Sequence, residues 1–239
     1  MKNMIKKLVL SFYYSIIEFI SIPSYVIKTP SFDNNFDYEE YWNNRKEKDE
    51  IQPRFHIISK IIGREKNILD IGCGNGFLLE FLKKANNSIC KGYDVSNDAI
   101  KKTISRKIEA EVLDLNKDNL KINEKYDYII LSEVIEHLPK PEDLILKLQN
   151  NYSDGLIITI PNTGYIRDRL RLFFGAFPIQ WAFHPSEHLR FWTIRDFKKW
   201  VKILDLELIG VYPANGITIF FLYKIWPNLF ARNVVYLLK

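Results

Sequence analysis

The strongest constraint on this chain is the run Lys-Asn-Ile-Leu-Asp-Ile-Gly-Cys-Gly-Asn-Gly at 66–76, a short apolar strand that passes directly into a glycine loop with one carboxylate, Asp70, at the strand's exit. A strand feeding such a loop and then a helix is the opening unit of a parallel sheet that binds a nucleotide-like ligand over its carboxyl edge. In a dinucleotide site the loop receives a pyrophosphate, which an acid at Asp70 would repel. The spacing also differs, because Gly72, Gly74 and Gly76 read G-x-G-x-G rather than G-x-G-x-x-G. A cationic ligand without phosphate suits both the acid and the glycine-lined backbone. Asp94 follows about twenty residues later, where a second strand should end and an acid can take the two hydroxyls of a ribose. Helix capping accounts for either acid alone, but not for their joint spacing with the glycines.

These residues, together with Asp114 of Val-Leu-Asp-Leu-Asn and the stretch Ser132-Glu133-Val134-Ile135-Glu136-His137-Leu138, resemble the class I S-adenosylmethionine-dependent methyltransferases from about Tyr41 to the last residue. The resemblance implies S-adenosylmethionine as cofactor, a molecule with a sulfonium, an ammonium and no phosphate. It implies a cradle of Asp70, Gly72, Cys73, Gly74, Asn75, Gly76, Asp94, Val95, Asp114, Leu115 and Ser132. Asp114 would sit beside the adenine amino group, and Ser132 would open the loop under the methionine moiety. The implied fold is α/β, a Rossmann-like seven-stranded mostly parallel sheet with an antiparallel last strand and helices on both faces.

The pattern along the chain agrees with such a sheet. Strands are expected at 67–71, 90–94, 110–113, 128–131 and 156–160, alternating with helices at 76–84, 97–106 and 141–149. A helix at 194–204 and strands at 206–212 and 233–238 complete it, the last running antiparallel between the fifth and sixth by the resemblance. Asp70, Asp94, Asp114 and Glu133 all fall at carboxyl ends of strands, where ligands bind. Residues 51–239 therefore read as the methyltransferase domain, and 1–50 as an N-terminal helix and connector.

Two segments stand outside this framework. Residues 5–20 read as an amphipathic helix, a lid or packing element with interfacial membrane contact as the alternative. Glu18 interrupts the apolar run and no small-residue cleavage site follows, so a signal peptide does not fit. Tyr38, Tyr41 and Trp42 in the connector can cover the cofactor pocket or pack on helices. Residues 161–192 are long for a connection and carry Arg167, Arg169 and Arg171, then Phe173, Phe174, Phe177, Trp181 and Phe183. That composition suits a lid over the substrate site, or a helical hairpin with buried aromatics and exposed arginines.

Methyl transfer from a sulfonium needs no covalent nucleophile, only alignment of the acceptor and removal of its proton. The candidates are Glu133, Glu136 and His137, spaced to share one face if a helix begins at the strand's end. Glu-x-x-Glu-His, with the later histidines and Trp-Thr, also resembles the small-RNA 2′-O-methyltransferases, and its first part the ubiquinone-pathway O-methyltransferases. That resemblance implies Mg²⁺ or Mn²⁺ held by Glu133, Glu136, His137 and His188; a metal-free base at His137 and simple positioning remain alternatives. Ile160-Pro161-Asn162-Thr163-Gly164-Tyr165 and the run from His188 to Phe197 resemble the methionine-biosynthesis methyltransferase-like proteins that partner an acyltransferase. Asn162, Arg167, His184, His188 and Arg190 are the candidate substrate contacts.

The expectation is a methyltransferase acting on an oxygen, less readily a nitrogen, of a small polar, glycan-precursor or lipid-linked acceptor. A non-catalytic partner of a biosynthetic enzyme and an RNA 2′-O-methyltransferase are the alternatives. The net charge of +5 is too dispersed to mark a nucleic-acid surface, and two cysteines suggest a reducing, cytoplasmic setting with peripheral contact at the inner membrane face as an option.

Overall fold

The computed structural model describes residues 12–13, 16–17, 19–28, 49–117, 120, 122, 124–180, 187–217 and 221–239. The expectations on Tyr38, Tyr41, Trp42, Trp181, Phe183 and His184 lie outside the described residues. The first half of the chain runs α1 (Ile22–Ile27), α2 (Pro53–Ile62), β1 (Asn67–Ile71), α3 (Phe77–Asn86), β2 (Ile89–Asp94), α4 (Asn97–Ser105) and β3 (Glu109–Val112). The second runs β4 (Tyr126–Ser132), a 3₁₀ turn (Ile135–His137), α5 (Pro141–Leu148), β5 (Tyr152–Pro161), α6 (Ile166–Phe173) and α7 (Ile194–Ile203). It closes with β6 (Leu208–Gly216), α8 (Leu222–Ile225), α9 (Pro227–Phe230) and β7 (Ala231–Leu238).

The strands form one seven-stranded sheet in the order β3-β2-β1-β4-β5-β7-β6. All neighbours pair in parallel except β7, which is antiparallel to both β5 and β6. This is the sheet predicted from the sequence, including the antiparallel strand inserted between the fifth and sixth. The order reverses between β1 and β4, which opens a crevice at their carboxyl ends.

Alternation along β1 explains how the site is aimed. Leu69 and Ile71 enter the core formed with α5 and α7, while Ile68 enters the opposite core formed with α2, α3 and α4. Asp70 therefore faces the α2 side. The helix starts follow local signals: the Ser96 hydroxyl accepts the Ala99 N–H at 3.3 Å, and the Thr193 hydroxyl accepts the Asp196 N–H at 3.2 Å.

Several boundaries differ from expectation for identifiable reasons. β5 begins at Tyr152, because Tyr126 of β4 pairs with it across an irregularity in register that the polar Ser153 and Asp154 obscure in the sequence. β6 continues through Pro213 to Gly216, which is possible because β6 is the sheet's edge. Helical structure at the N-terminus extends to Ile27, with a turn at Ser21 and a fresh start at Pro23. Within 161–192 the described residues hold a single helix, α6.

Candidate active site

The glycine loop hooks over the end of β2: the N–H groups of Gly72 and Cys73 both donate to the Tyr93 carbonyl, at 2.7 and 2.9 Å. Gly72 adopts φ +80°, and a Cβ there would lie 2.4 Å from Val134 Cγ2, so the loop and the segment after β4 are in glycine-only contact. Asp94 accepts the Gly74 N–H at 2.8 Å and the Ser96 N–H at 3.0 Å, which locks the two loops together. Asp70 is buried, and its Oδ1 has no hydrogen-bond partner. Burial, with Asp94 nearby, pushes its carboxyl up to about 8.

A cavity of about 1020 Å³ opens over these residues. Asp70, Gly72, Cys73, Gly74, Asn75, Asp94, Val95, Asp114, Leu115 and Ser132 all line it, as the resemblance implies. Gly76 is set back from the cavity: at φ +72° it opens α3, and a Cβ would strike the Thr103 side chain at 2.7 Å. Burial holds the Cys73 thiol protonated, which leaves it unreactive.

A buried, unsatisfied acid beside a glycine-lined wall is the environment that a cationic amino-acid group would complete. Arg54 adds the complementary charge. It lines the same cavity from the first turn of α2, its Nε is buried without a partner, and its guanidinium favours the ionised forms of Asp70 and Glu136. The residues present thus fit a zwitterionic ligand, with Asp70 for its ammonium and Arg54 for its carboxylate. The sequence reading missed Arg54. Its signal was a cation in the first turn of a helix, where the macrodipole disfavours one.

Beyond β4 the chain departs from the expected helix. Glu133 takes φ +58°, and only the single 3₁₀ turn Ile135–His137 follows, so Glu133, Glu136 and His137 do not share a helical face. The reason is tertiary: the Glu133 N–H donates to the Thr159 carbonyl at 3.0 Å, and its carboxylate receives the Thr159 hydroxyl at 3.0 Å and the Asn233 amide. Glu133 remains on the cavity wall, bound to β5 and β7.

Glu136 turns inward and is joined by His188. Its carbonyl accepts the N–H groups of Leu189 and Arg190 at 2.7 and 3.1 Å, which draws residues 187–190 onto the 3₁₀ turn. The His137 and His188 rings meet edge to face, with centroids 4.7 Å apart. Ligand atoms of Glu136, His137 and His188 all lie within 4.8 Å of one another. Neither carboxylate oxygen of Glu136 has a hydrogen-bond partner, and burial with Glu133 beside it raises its carboxyl well above the ordinary range. Burial lowers His137, and burial beside His137 lowers His188 to about 3. His137 Nδ1 contacts the Glu187 carbonyl, so the neutral ring carries its proton there and Nε2 is the basic nitrogen.

The other substrate candidates divide. Arg167 lines the cavity with Tyr25, Asp168 and Gln180. Asn162 does not: its amide donates to the Ala231 carbonyl at 2.7 Å, and its Oδ1 accepts the N–H groups of Gly164 and Ile194. The main chain therefore occupies the side chain expected to meet substrate. Arg190 is exposed, away from the cavity, and reaches the Pro139 carbonyl.

Comparison with known proteins agrees with this fold. The model of the family "Methionine biosynthesis protein MetW" matches residues 52–238. The ubiquinone biosynthesis O-methyltransferase of Hydrogenovibrio crunogenus is 31% identical over 131 residues, 48% of this chain and 53% of that protein. The one from Glaesserella parasuis is 31% identical over 180 residues, 64% of this chain and 71% of that protein. The chain spans about half the length of most of these curated relatives. A solved S-adenosylmethionine-dependent methyltransferase from Aquifex aeolicus superposes with a TM-score of 0.57 at 14% identity, covering 85% of this chain and 99% of that one, which shows the shared fold. With the family model spanning more than three quarters of its length, the chain belongs to the methionine biosynthesis protein MetW family, within the class I S-adenosylmethionine-dependent methyltransferases.

Proposed function

We propose that this protein is an S-adenosylmethionine-dependent O-methyltransferase acting on a small glycan-precursor or lipid-linked acceptor, with His137 as the base that removes the acceptor proton. The observation that carries this reading is the Glu136–His137–His188 cluster, whose two histidines line the same cavity as Asp70, Asp94 and Arg54 while Glu136 is buried behind them. When bound, the cofactor supplies an electrophilic methyl group on a sulfonium. Asp70 and Arg54 would orient its amino-acid end, and Asp94 its ribose. Burial keeps His137 neutral at pH 7, and its contact with the Glu187 carbonyl orients the ring so that Nε2 can accept a proton. The names of the curated relatives favour oxygen over nitrogen as the methylated atom.

A divalent ion is a second reading, favoured by the donor set itself. Two imidazoles and one carboxylate, with ligand atoms within 4.8 Å of one another, suit Mn²⁺ or a similar ion, and a cation would compensate the otherwise unsatisfied Glu136. Glu136, His137 and His188 would hold it. Glu133, committed to Thr159 and Asn233, would act only from the outer shell.

The deciding experiment is release of S-adenosylhomocysteine in the presence of pools of sugar nucleotides, quinol precursors and small RNAs. Turnover with one of the first two pools is the expected result. Cofactor binding by calorimetry without turnover in any pool would make the chain a non-catalytic partner, and turnover with small RNA alone would overturn the acceptor class.

A further inference from the structure

We propose that the N-terminal helical segment and α6 together form a docking surface for an anionic lipid bilayer. The two elements pack on each other and both present large apolar side chains to water. Phe19, Ile20 and Ile27 are exposed on the first, Phe173 and Phe174 on the second, with Ile27 80% and Phe173 82% accessible. Phe177, in the turn that follows, is also exposed. Singly scattered apolar residues are ordinary on a protein surface, whereas a gathering of this kind marks an interaction site.

Buried polar contacts make these pieces one body. Arg171 is buried and donates from Nη1 to the carbonyls of Tyr25 and Val26, at 2.7 and 2.9 Å, and from Nε to the carbonyl of Phe177 at 2.6 Å. It thus satisfies carbonyls in the last turn of α1 while pinning the aromatic turn. The Tyr25 hydroxyl donates to Asp168 at 2.5 Å and accepts the Ile179 N–H at 3.0 Å. The segments are therefore joined through hydrogen bonds, and their apolar faces stay directed at solvent.

Charge identifies the occupant. Residues 1–28 carry Lys2, Lys6, Lys7 and Lys28 against the single Glu18. Bulky apolar residues with surplus lysine are the composition of a segment that partitions to a lipid interface, where burial of apolar surface adds to attraction by anionic headgroups. Among the described residues no helix is long and apolar enough to cross a membrane. Tyr25 and Arg167 of this same body line the cavity, so, on the methyltransferase reading above, an acceptor drawn from the bilayer enters past them.

The test is sedimentation of the full chain with vesicles of phosphatidylcholine alone and of phosphatidylcholine with phosphatidylglycerol. Binding to the anionic vesicles only, reduced by salt, is expected. Phe173→Ser combined with Phe174→Ser should weaken it at least about tenfold, since two phenyl rings no longer enter lipid. Arg171→Gln, which removes no apolar side chain, should also weaken it by releasing α1. S-adenosylhomocysteine affinity by calorimetry should be unchanged in the Phe173/Phe174 variant. No binding to anionic vesicles, equal binding to neutral ones, undiminished binding by the double variant, or self-association of the free chain abolished by that variant would overturn the proposal. Failure of the intact chain to bind S-adenosylhomocysteine would count against the methyltransferase reading and leave the vesicle result standing.

Discussion

Asn233, on the one antiparallel strand, donates from its amide to both carboxylate oxygens of Glu133, at 3.3 and 3.1 Å. Its own N–H donates to the Asn215 side chain at 2.9 Å, so β6 braces the β7 residue that holds the acid at the rim of the cavity. The left-handed backbone at Glu133 is maintained by this network, since an isolated glutamate would leave that region of φ/ψ space.

Asn233→Ala should therefore reduce turnover by roughly tenfold to a hundredfold, the cost typical of a small misplacement of reacting groups. Calorimetry should find S-adenosylhomocysteine affinity little changed, because the side-chain partners of Asn233 are Glu133 and Asn215 rather than the glycine loop. A parallel loss of cofactor affinity would show that Glu133 serves the cofactor rather than the acceptor.

The pH dependence of the free protein should reveal Asp70. Its carboxyl is raised to about 8 in the fold, so between the ordinary carboxylate value and about 8 the folded state holds a proton that the unfolded state has lost. Stability should consequently fall as pH rises through that window, by up to about 1.4 kcal/mol per pH unit. Lowered His137 and His188 act with the opposite sign below about 6.5, so the carboxyl contribution is free of the histidines only between about 6.5 and 8. Urea unfolding across that range should give a shallower slope for Asp70→Asn, with Glu136 supplying the remainder. Cofactor affinity should rise over the same range as Asp70 ionises, and Asp70→Asn should remove that rise.

His137→Ala should lower turnover by roughly 10²–10⁴-fold. Because burial depresses His137, the acid limb of the wild-type pH–rate profile should lie below the ordinary histidine range. Chelator distinguishes the two readings of the cluster. Indifference to chelator supports a metal-free base, while loss that Mn²⁺ or Mg²⁺ restores, together with metal uptake abolished by His188→Ala, supports a bound ion.

Tyr25→Phe removes the hydroxyl that donates to Asp168 Oδ1 and accepts the Ile179 N–H, leaving Asp168 with Gln180 on its other oxygen. Losing these two part-buried bonds should cost about 1–3 kcal/mol locally. Amide exchange should accelerate across residues 166–180 and 22–27 while the sheet stays protected. Unchanged exchange in α6 would mean that α1 does not restrain it.

The glycine-loop wall of the cavity was legible in the sequence because its determinants are local. Asp70 and the glycines occupy a few consecutive positions in one strand-loop-helix unit, and the strand period alone aims Asp70 at the crevice. Alternating apolar strands and helices likewise determined the parallel sheet, since right-handed crossovers leave few other arrangements. The opposite wall, after β4, was not legible to the same degree. The spacing of Glu133, Glu136 and His137 suggested a helix, but Glu133 is captured by Thr159 and Asn233, and those long-range hydrogen bonds outweigh the local preference. Asn162 looked like a substrate contact, yet it satisfies buried backbone groups of β7 and α7 that no local pattern announces. Arg54 and His188 reach the cavity from segments more than a hundred residues apart, and only the closing of the sheet and the docking of residues 187–190 on the 3₁₀ turn decided that they meet there.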